Sequence, residues 1–204
     1  APFEGAAEDA PAEVSDAFDA VVRNELGRGG FDRKDPSLAE RLAQDLRVVL
    51  RRSLGAEAGE TALVHIPADQ RLAELRFDLR AGGRRSAGDK RMAKGRRLGA
   101  IVAGATSAPY THEGLPGETF AGYLNGVIDL VFSCDVDGQR RYFVADYKSN
   151  RLAKSHEDAA YAPSELAKVI AERHYVFQVH LYMLALVRYL RVRITDFDYD
   201  RHIG

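Results

Sequence analysis

Two apolar, alternating runs, residues 123–133 and 140–148, sit either side of Asp137-Gly138, and no other feature of the chain limits its fold as much. Asp-Gly between two such runs is a strong signal for a tight β-hairpin, because both turn positions need a positive φ that Asp tolerates and Gly adopts freely. The sequence therefore predicts a central antiparallel pair whose members are rich in Val, Ile, Phe and Tyr. Upstream, Leu72–Leu79 alternates as a third strand should, with Leu75, Phe77 and Leu79 on one side. Ala62–Ile66 is a shorter, strand-like run, and Ile194–Tyr199 reads as a further short strand.

Helical periodicity surrounds these strands. Val14, Phe18, Val21, Val22 and Leu26 recur at helical spacing from Ala12 until Gly27–Gly30 stops the pattern. Asp35-Pro36-Ser37 marks a second helix start, followed by Leu38, Leu42, Leu46, Val49 and Leu50 up to Gly55. Residues 163–192 read as one long helix without an internal Gly or Pro. Helices flank a hairpin here rather than alternating regularly with strands, which argues against Rossmann and barrel folds. The expectation is one mixed α/β domain over residues 1–204.

Composition narrows the function less. The chain has 204 residues, 46% hydrophobic and 29% charged, with a net charge of −1. Nothing approaches the roughly 20 apolar residues needed to span a bilayer. The first twenty residues carry six acids and no base, unlike a signal peptide. A single cysteine, Cys134, forms no internal disulfide, fits an intracellular setting, and cannot by itself hold zinc or an iron–sulfur cluster. Residues 81–117 look like a flexible basic and Gly/Pro-rich insertion. Arg84, Arg85, Lys90, Arg91, Lys94, Arg96 and Arg97 crowd its first part. Such a loop is either a solvated surface or a phosphate-tracking element.

The chemistry centres on the hairpin. Asp129 stands in Gly126-Val-Ile-Asp-Leu-Val-Phe132, and an ionised carboxylate on so apolar a strand is costly unless something positive compensates it. A buried ion pair or a cap would explain an isolated Asp equally well. The second run, however, ends in Asp146-Tyr147-Lys148-Ser149-Asn150. Period-two alternation puts Asp146 and Lys148 on one face, and pairing of the strands lets both converge with Asp129. Two carboxylates are hard ligands suited to Mg²⁺, and an adjacent lysine can orient an attacking water and stabilise transition-state charge.

Acid, hairpin, then acid-x-Lys is the pattern of PD-(D/E)xK nucleases. The longer string resembles the nuclease domain of RecB-type helicase–nucleases, the exodeoxyribonuclease V class. It comprises Gly126–Phe132, Asp146–Asn150, the run from Tyr175 through Gln178 and Tyr182 to Leu190, and Arg193–Tyr199. The resemblance implies a restriction-endonuclease-like mixed sheet with flanking helices. It implies Asp129 and Asp146 as metal ligands with the Tyr147 carbonyl, Lys148 as the catalytic lysine, and Glu74 as an additional acid. Read alone, Glu74 is equally a solvent-facing strand residue. Gln178 and Tyr182, four apart on one helix face, match the family's Q-x-x-x-Y motif and are expected near DNA or the active site. With Arg84, Arg85, Lys90 and Arg91 they form the expected DNA contacts.

The same resemblance implies Mg²⁺, with Mn²⁺ as a substitute and no iron–sulfur cluster, and a bacterial cytoplasmic protein. Its partners would be single strands from unwound duplex ends, a helicase part in the parent chain, and RecC-like and RecD-like subunits. The family's upstream Gly-Thr-x-x-His segment has no counterpart before Glu74, so the chain reads as truncated at both ends. His65 and His112 look like ordinary histidines rather than replacements. A stand-alone restriction-type or junction-resolving nuclease is one rival, and a catalytically silent domain that binds DNA or a partner is another.

Overall fold

The computed structural model describes residues 3–31, 35, 37–81, 83–84, 90–91, 93–94, 100–102, 104, 119–120, 122–152 and 158–204. Its centre is the expected hairpin. Strands β6 (Gly122–Val136) and β7 (Gln139–Ala145) flank Asp137 at φ +51° and Gly138 at φ +77°. Two consecutive positive φ values are the I′ geometry that the Asp-Gly pair favours. Strand β1 (Arg71–Ala81) adds to β6, giving an antiparallel sheet in the order β1-β6-β7. Four two-residue strands pair among themselves: β2 (Gly83–Arg84) with β3 (Lys90–Arg91), and β4 (Ala93–Lys94) with β5 (Thr119–Phe120). Helices α1 (Ala12–Arg28), α2 (Leu38–Arg51), α3 (Pro163–Glu172), α4 (Tyr175–Arg191) and the single turn α5 (Tyr199–His202) complete the described elements. The result is the mixed α/β class, as expected.

The chain forms two compact units. One holds residues 1–73, 130–143 and 198–204; the other holds 74–129 and 144–197. In the first, α1 and α2 bury Phe18, Val22, Ala43 and Leu50. Arg47 of α2 pairs with Asp19 at 2.8 Å and lies over the Phe18 ring. Phe132 and Phe143 stack across the hairpin, with centroids 5.2 Å apart. Gly204 donates its amide to the Tyr142 carbonyl at 3.2 Å, in a place where any Cβ would strike the Phe143 ring. At the start of α2, the Arg41 guanidinium and the Ser37 hydroxyl hold the Asp35 carboxyl down at about 2. In the second unit the core is Leu79, Ile128, Val176, Ala185, Leu186, Val187 and Leu190.

Four expectations need correction. The Ala62–Ile66 run is a 3-10 turn at Leu63–His65, with its apolar side chains buried and His65 exposed. Pro67 follows at once, leaving too few residues to pair as a strand. The predicted helix over 163–192 is broken between α3 and α4, where His174 adopts φ +56°. Histidine enters the left-handed region more readily than most side chains, so the break needs no Gly or Pro. Ile194–Tyr199 is not a strand. Asp198 caps α5 by accepting from the Arg201 amide at 2.9 Å, a local bond that competes with strand pairing. Extended pairing comes later, in a parallel bridge between Tyr142 and Ile203. Finally, β7 ends at Ala145, so Asp146–Asn150 leave the ladder before their chemistry begins.

Most of residues 81–117, with Arg85 and His112 among them, lie outside the described residues. Arg84, Lys90 and Arg91 belong to the β2–β3 pair, in which Arg84 faces Lys90 in register. Among the described residues no helix is long and apolar enough to cross a membrane.

Candidate active site

Everything that follows lies in the second unit. Along β6, Tyr123, Asn125 and Val127 are exposed while Ile128 is fully buried, so the first half of the strand has one wet face and one dry face. Asp129 continues the wet face and is half-buried, at the point where both faces become buried from Leu130 onward. Its Oδ2 accepts the Tyr147 backbone N–H at 2.8 Å. That bond compensates part of the cost of placing a carboxylate there, and it holds the Asp146–Lys148 backbone beside Asp129.

Gly126 lies three residues earlier on β6. A Cβ at this position would fall 2.6 Å from the Phe77 ring, so only glycine lets Phe77 of β1 press onto β6. Phe77 in turn meets the Tyr182 ring edge-on, with centroids 5.9 Å apart at 75°, a favourable aromatic geometry. The glycine of the Gly-Val-Ile-Asp string thus sets the depth at which Tyr182 sits.

Tyr182 and Gln178, both on α4, join the acid-x-Lys motif directly. Lys148 Nζ pairs with Asp146 Oδ2 and donates to Gln178 Oε1 at 2.9 Å. Gln178 Nε2 donates to the Tyr182 hydroxyl at 2.7 Å, and that hydroxyl donates to Asp146 Oδ1 at 3.4 Å. The four side chains form a closed ring of polar contacts. Burial pushes the Tyr182 hydroxyl above its ordinary pKa, and the negative charges of Asp146 and Asp129 push it further; the bond from Gln178 and the charge of Lys148 act the other way. Tyr182 therefore stays a protonated donor throughout the neutral range.

Glu74 stands apart from this ring. It is exposed on the same side of β1 as Arg76, and it makes no side-chain hydrogen bond or ion pair among the described residues. Its φ is +54°, the left-handed region, inside a strand. Among the described residues no group of three or more His, Cys, Asp or Glu side chains is close enough to hold a metal ion. Among the described residues Glu74 therefore joins no cluster of acids around Asp129 or Asp146. A non-glycine residue in that conformation costs about 1–2 kcal/mol. Glu74→Gly should accordingly leave the melting temperature unchanged or raise it, although glycine weakens most strands. A clear loss of stability, read by thermal unfolding, would show that the side chain has a structural partner.

Two further residues belong to the neighbourhood and were not among the expected site residues. Tyr175 donates its hydroxyl to Asn150 Oδ1 at 2.8 Å, and its ring lies 4.3 Å beneath Lys148 Nζ. The signal was present in the sequence. Asn150 continues the alternation of Asp146 and Lys148, and Tyr175 precedes Gln178 by three on a helix.

Hairpin, acid on the first strand, and acid-x-Lys at the end of the second define a nuclease class, and the chain belongs to the PD-(D/E)XK nuclease superfamily, which it matches over residues 3–195. Among individual curated proteins it is similar to RecBCD enzyme subunit RecB of several bacteria. It is 45% identical to RecBCD enzyme subunit RecB of Escherichia coli over 83 residues, 41% of this chain and 6% of that protein. The subunit of the same name from Mycobacterium tuberculosis is 32% identical over 207 residues, 97% of this chain and 18% of the relative. That from Haemophilus influenzae is 38% identical over 92 residues, 45% of this chain and 7% of the relative. The chain thus spans less than a fifth of the length of these relatives.

Proposed function

We propose that this chain is a Mg²⁺-dependent deoxyribonuclease domain that hydrolyses DNA phosphodiesters, with Asp129, Asp146 and Lys148 at its centre. The observation that carries this reading is the ring of Asp146, Lys148, Gln178 and Tyr182, with Asp129 tied to the intervening Tyr147 amide. The donor set fits a hard divalent cation. Two carboxylates and the Tyr147 carbonyl are all oxygen donors, the set that a hard divalent cation takes. Mg²⁺ keeps several waters in its shell and needs few protein ligands, so the lack of a third clustered acid among the described residues is no obstacle. Mn²⁺ would serve as a substitute.

A cation held there supplies a water of lowered pKa and neutralises charge on the phosphate. The chain's own residues do the rest. Asp129 and Asp146 hold the cation, Glu74 assists from β1, and Lys148 orients the attacking water and offers a positive charge to the transition state. Gln178 and Tyr182 hold Lys148 and Asp146 in relation to each other and contact the DNA strand beside them. Arg84, Arg85, Lys90 and Arg91 add affinity through phosphates. By kinship with RecB, the substrate is single-stranded DNA drawn from unwound duplex ends. The parent chain would carry a helicase part and assemble with RecC-like and RecD-like subunits in double-strand-break processing and recombination.

The test is cleavage of end-labelled single-stranded DNA by the purified chain, with Mg²⁺ and with EDTA. Cleavage with Mg²⁺ only is expected. Tight binding without cleavage at any Mg²⁺ or Mn²⁺ concentration would leave a DNA-binding domain without catalysis. The basic residues make a separate prediction. Each phosphate neutralised on a single strand adds about −0.7 to the slope of log affinity against log salt. Replacing Arg84, Arg85, Lys90 and Arg91 by alanine together should flatten that slope by up to about 3, with kcat little changed. An unchanged slope would return these side chains to plain surface.

A further inference from the structure

Asn150 and Tyr175 have so far no part in the reaction. Their position suggests one. Asp146, Lys148 and Asn150 lie two apart along the chain and span at most about 13 Å at the usual rise of a strand. Tyr182, Gln178 and Tyr175 lie on one stripe of α4 and span about 10.5 Å at the helical rise. The two spacings match closely enough for three successive rungs. Asp146 meets Tyr182, Lys148 meets Gln178, and Asn150 meets Tyr175. The middle side chain is also held from below, because Lys148 Nζ sits 4.3 Å from the centroid of the Tyr175 ring.

We propose that Tyr175, fixed by Asn150, is a positioning residue for Lys148. This rests on the reading of Lys148 as the lysine of a nuclease site. A lysine ammonium is a point charge at the end of a flexible four-carbon stem, so something must hold it in place. Asp146 could do so alone, but only by giving the ammonium the carboxylate that a metal cation needs. The Tyr175 ring face and the Gln178 carbonyl are neutral anchors. They attract the ammonium without cancelling its charge and without occupying a metal ligand. Asn150 keeps the ring from turning by accepting from its hydroxyl. The ladder then runs from the metal-binding end at Asp146 to a clamp at Asn150, with the working charge between them.

The chain has six lysines, so ε-¹³C-lysine NMR of the whole chain gives few signals, and Lys148→Arg identifies the one that matters. We expect the Lys148 ε-methylene protons upfield of the other five, shifted by the Tyr175 ring. Tyr175→Leu should return them to the common position, and Tyr175→Phe should keep the shift. In Mg²⁺-dependent cleavage, Tyr175→Leu should lower kcat about 3- to 30-fold with KM nearly unchanged, the range a partly desolvated cation–π contact supports. Tyr175→Phe should recover most of that loss, and Asn150→Ala should fall between the two.

A Lys148 signal with no ring-current shift in the unsubstituted protein overturns the proposal, and that measurement holds even if Tyr175→Leu fails to fold. So does a Tyr175→Phe variant as impaired as Tyr175→Leu. Failure of the underlying reading looks different. Cleavage that survives Lys148→Ala removes Lys148 from the chemistry, and the proposal with it, even where the shift is present. An absent shift with Lys148-dependent cleavage sinks the positioning role alone.

Discussion

Lys148→Ala is expected to abolish detectable cleavage, a fall in kcat of at least about 10²–10³-fold, the usual loss when one preorganised donor aimed at transition-state charge is removed. Stability should hardly change. The Lys148 side chain is 34% exposed and that of Asp146 15%, so the pair is partly buried and its loss is tolerable only because the carboxylate is not left without a donor. Asp146 keeps the Tyr182 hydroxyl as a donor when the lysine is gone. Mg²⁺ affinity should be unchanged or higher, because the ammonium that occupies Asp146 Oδ2 no longer competes with a cation. Calorimetric Mg²⁺ titration and thermal unfolding, run beside the cleavage assay, separate these effects. A variant that cuts DNA at the original rate would show that the lysine has been given the wrong role. One that loses Mg²⁺ binding as well would show a ligand or structural part for it.

Asp129→Asn should be nearly as damaging, and by a different route. Asparagine retains an oxygen that can accept the Tyr147 amide, so the backbone tie that Asp129 makes is preserved. Only the charge disappears. One of two negative charges facing a divalent ion is then lost, and Mg²⁺ affinity should fall at least about tenfold, as Coulomb attraction at near-surface dielectric requires. Cleavage should fall with it and return in part at high Mn²⁺. Asp129→Ala removes the tie too and should also loosen the Asp146–Lys148 segment. If Asp129→Asn binds Mg²⁺ as tightly as before, Asp129 serves the backbone of the site and not its cation.

Much of this arrangement was legible beforehand for one physical reason. Features set by neighbours in sequence leave marks in sequence. Asp137-Gly138 announces its own turn, and Phe18, Val22 and Leu50 lie on helical stripes that the structure buries. Asp146 and Lys148 sit two apart, and two apart in an extended segment means one side. The failures share the opposite character. His174 takes a left-handed conformation that its residue type permits and does not demand, so a helix predicted as continuous breaks there. Asp198 sits inside a strand-like run whose fate is decided by its cap on the Arg201 amide. The Tyr175–Asn150 contact joins residues 25 positions apart, and spacing along either element alone could not pair them. Glu74 is the instructive middle case. Alternation correctly placed it on the exposed face with Arg76, but no residue pattern signals a positive φ on a glutamate within a strand.

The end of β7 at Ala145 has an effect on how the domain behaves in time. Residues 146–152 carry the second acid, the lysine and the asparagine, yet they belong to no sheet ladder or helix. They are tethered by side chains: to β6 through Asp129, to α4 through its aromatic and amide stripe, and through the Leu152 amide to the Tyr161 hydroxyl at 3.3 Å. A segment outside the ladder, held by bonds of this kind, can open while the sheet stays shut. Amides there should exchange with solvent far faster than those of β6, and DNA or a bound cation should slow them. Such exchange would make 146–152 the part of the domain whose order a ligand can raise while the β6 ladder stays as it is.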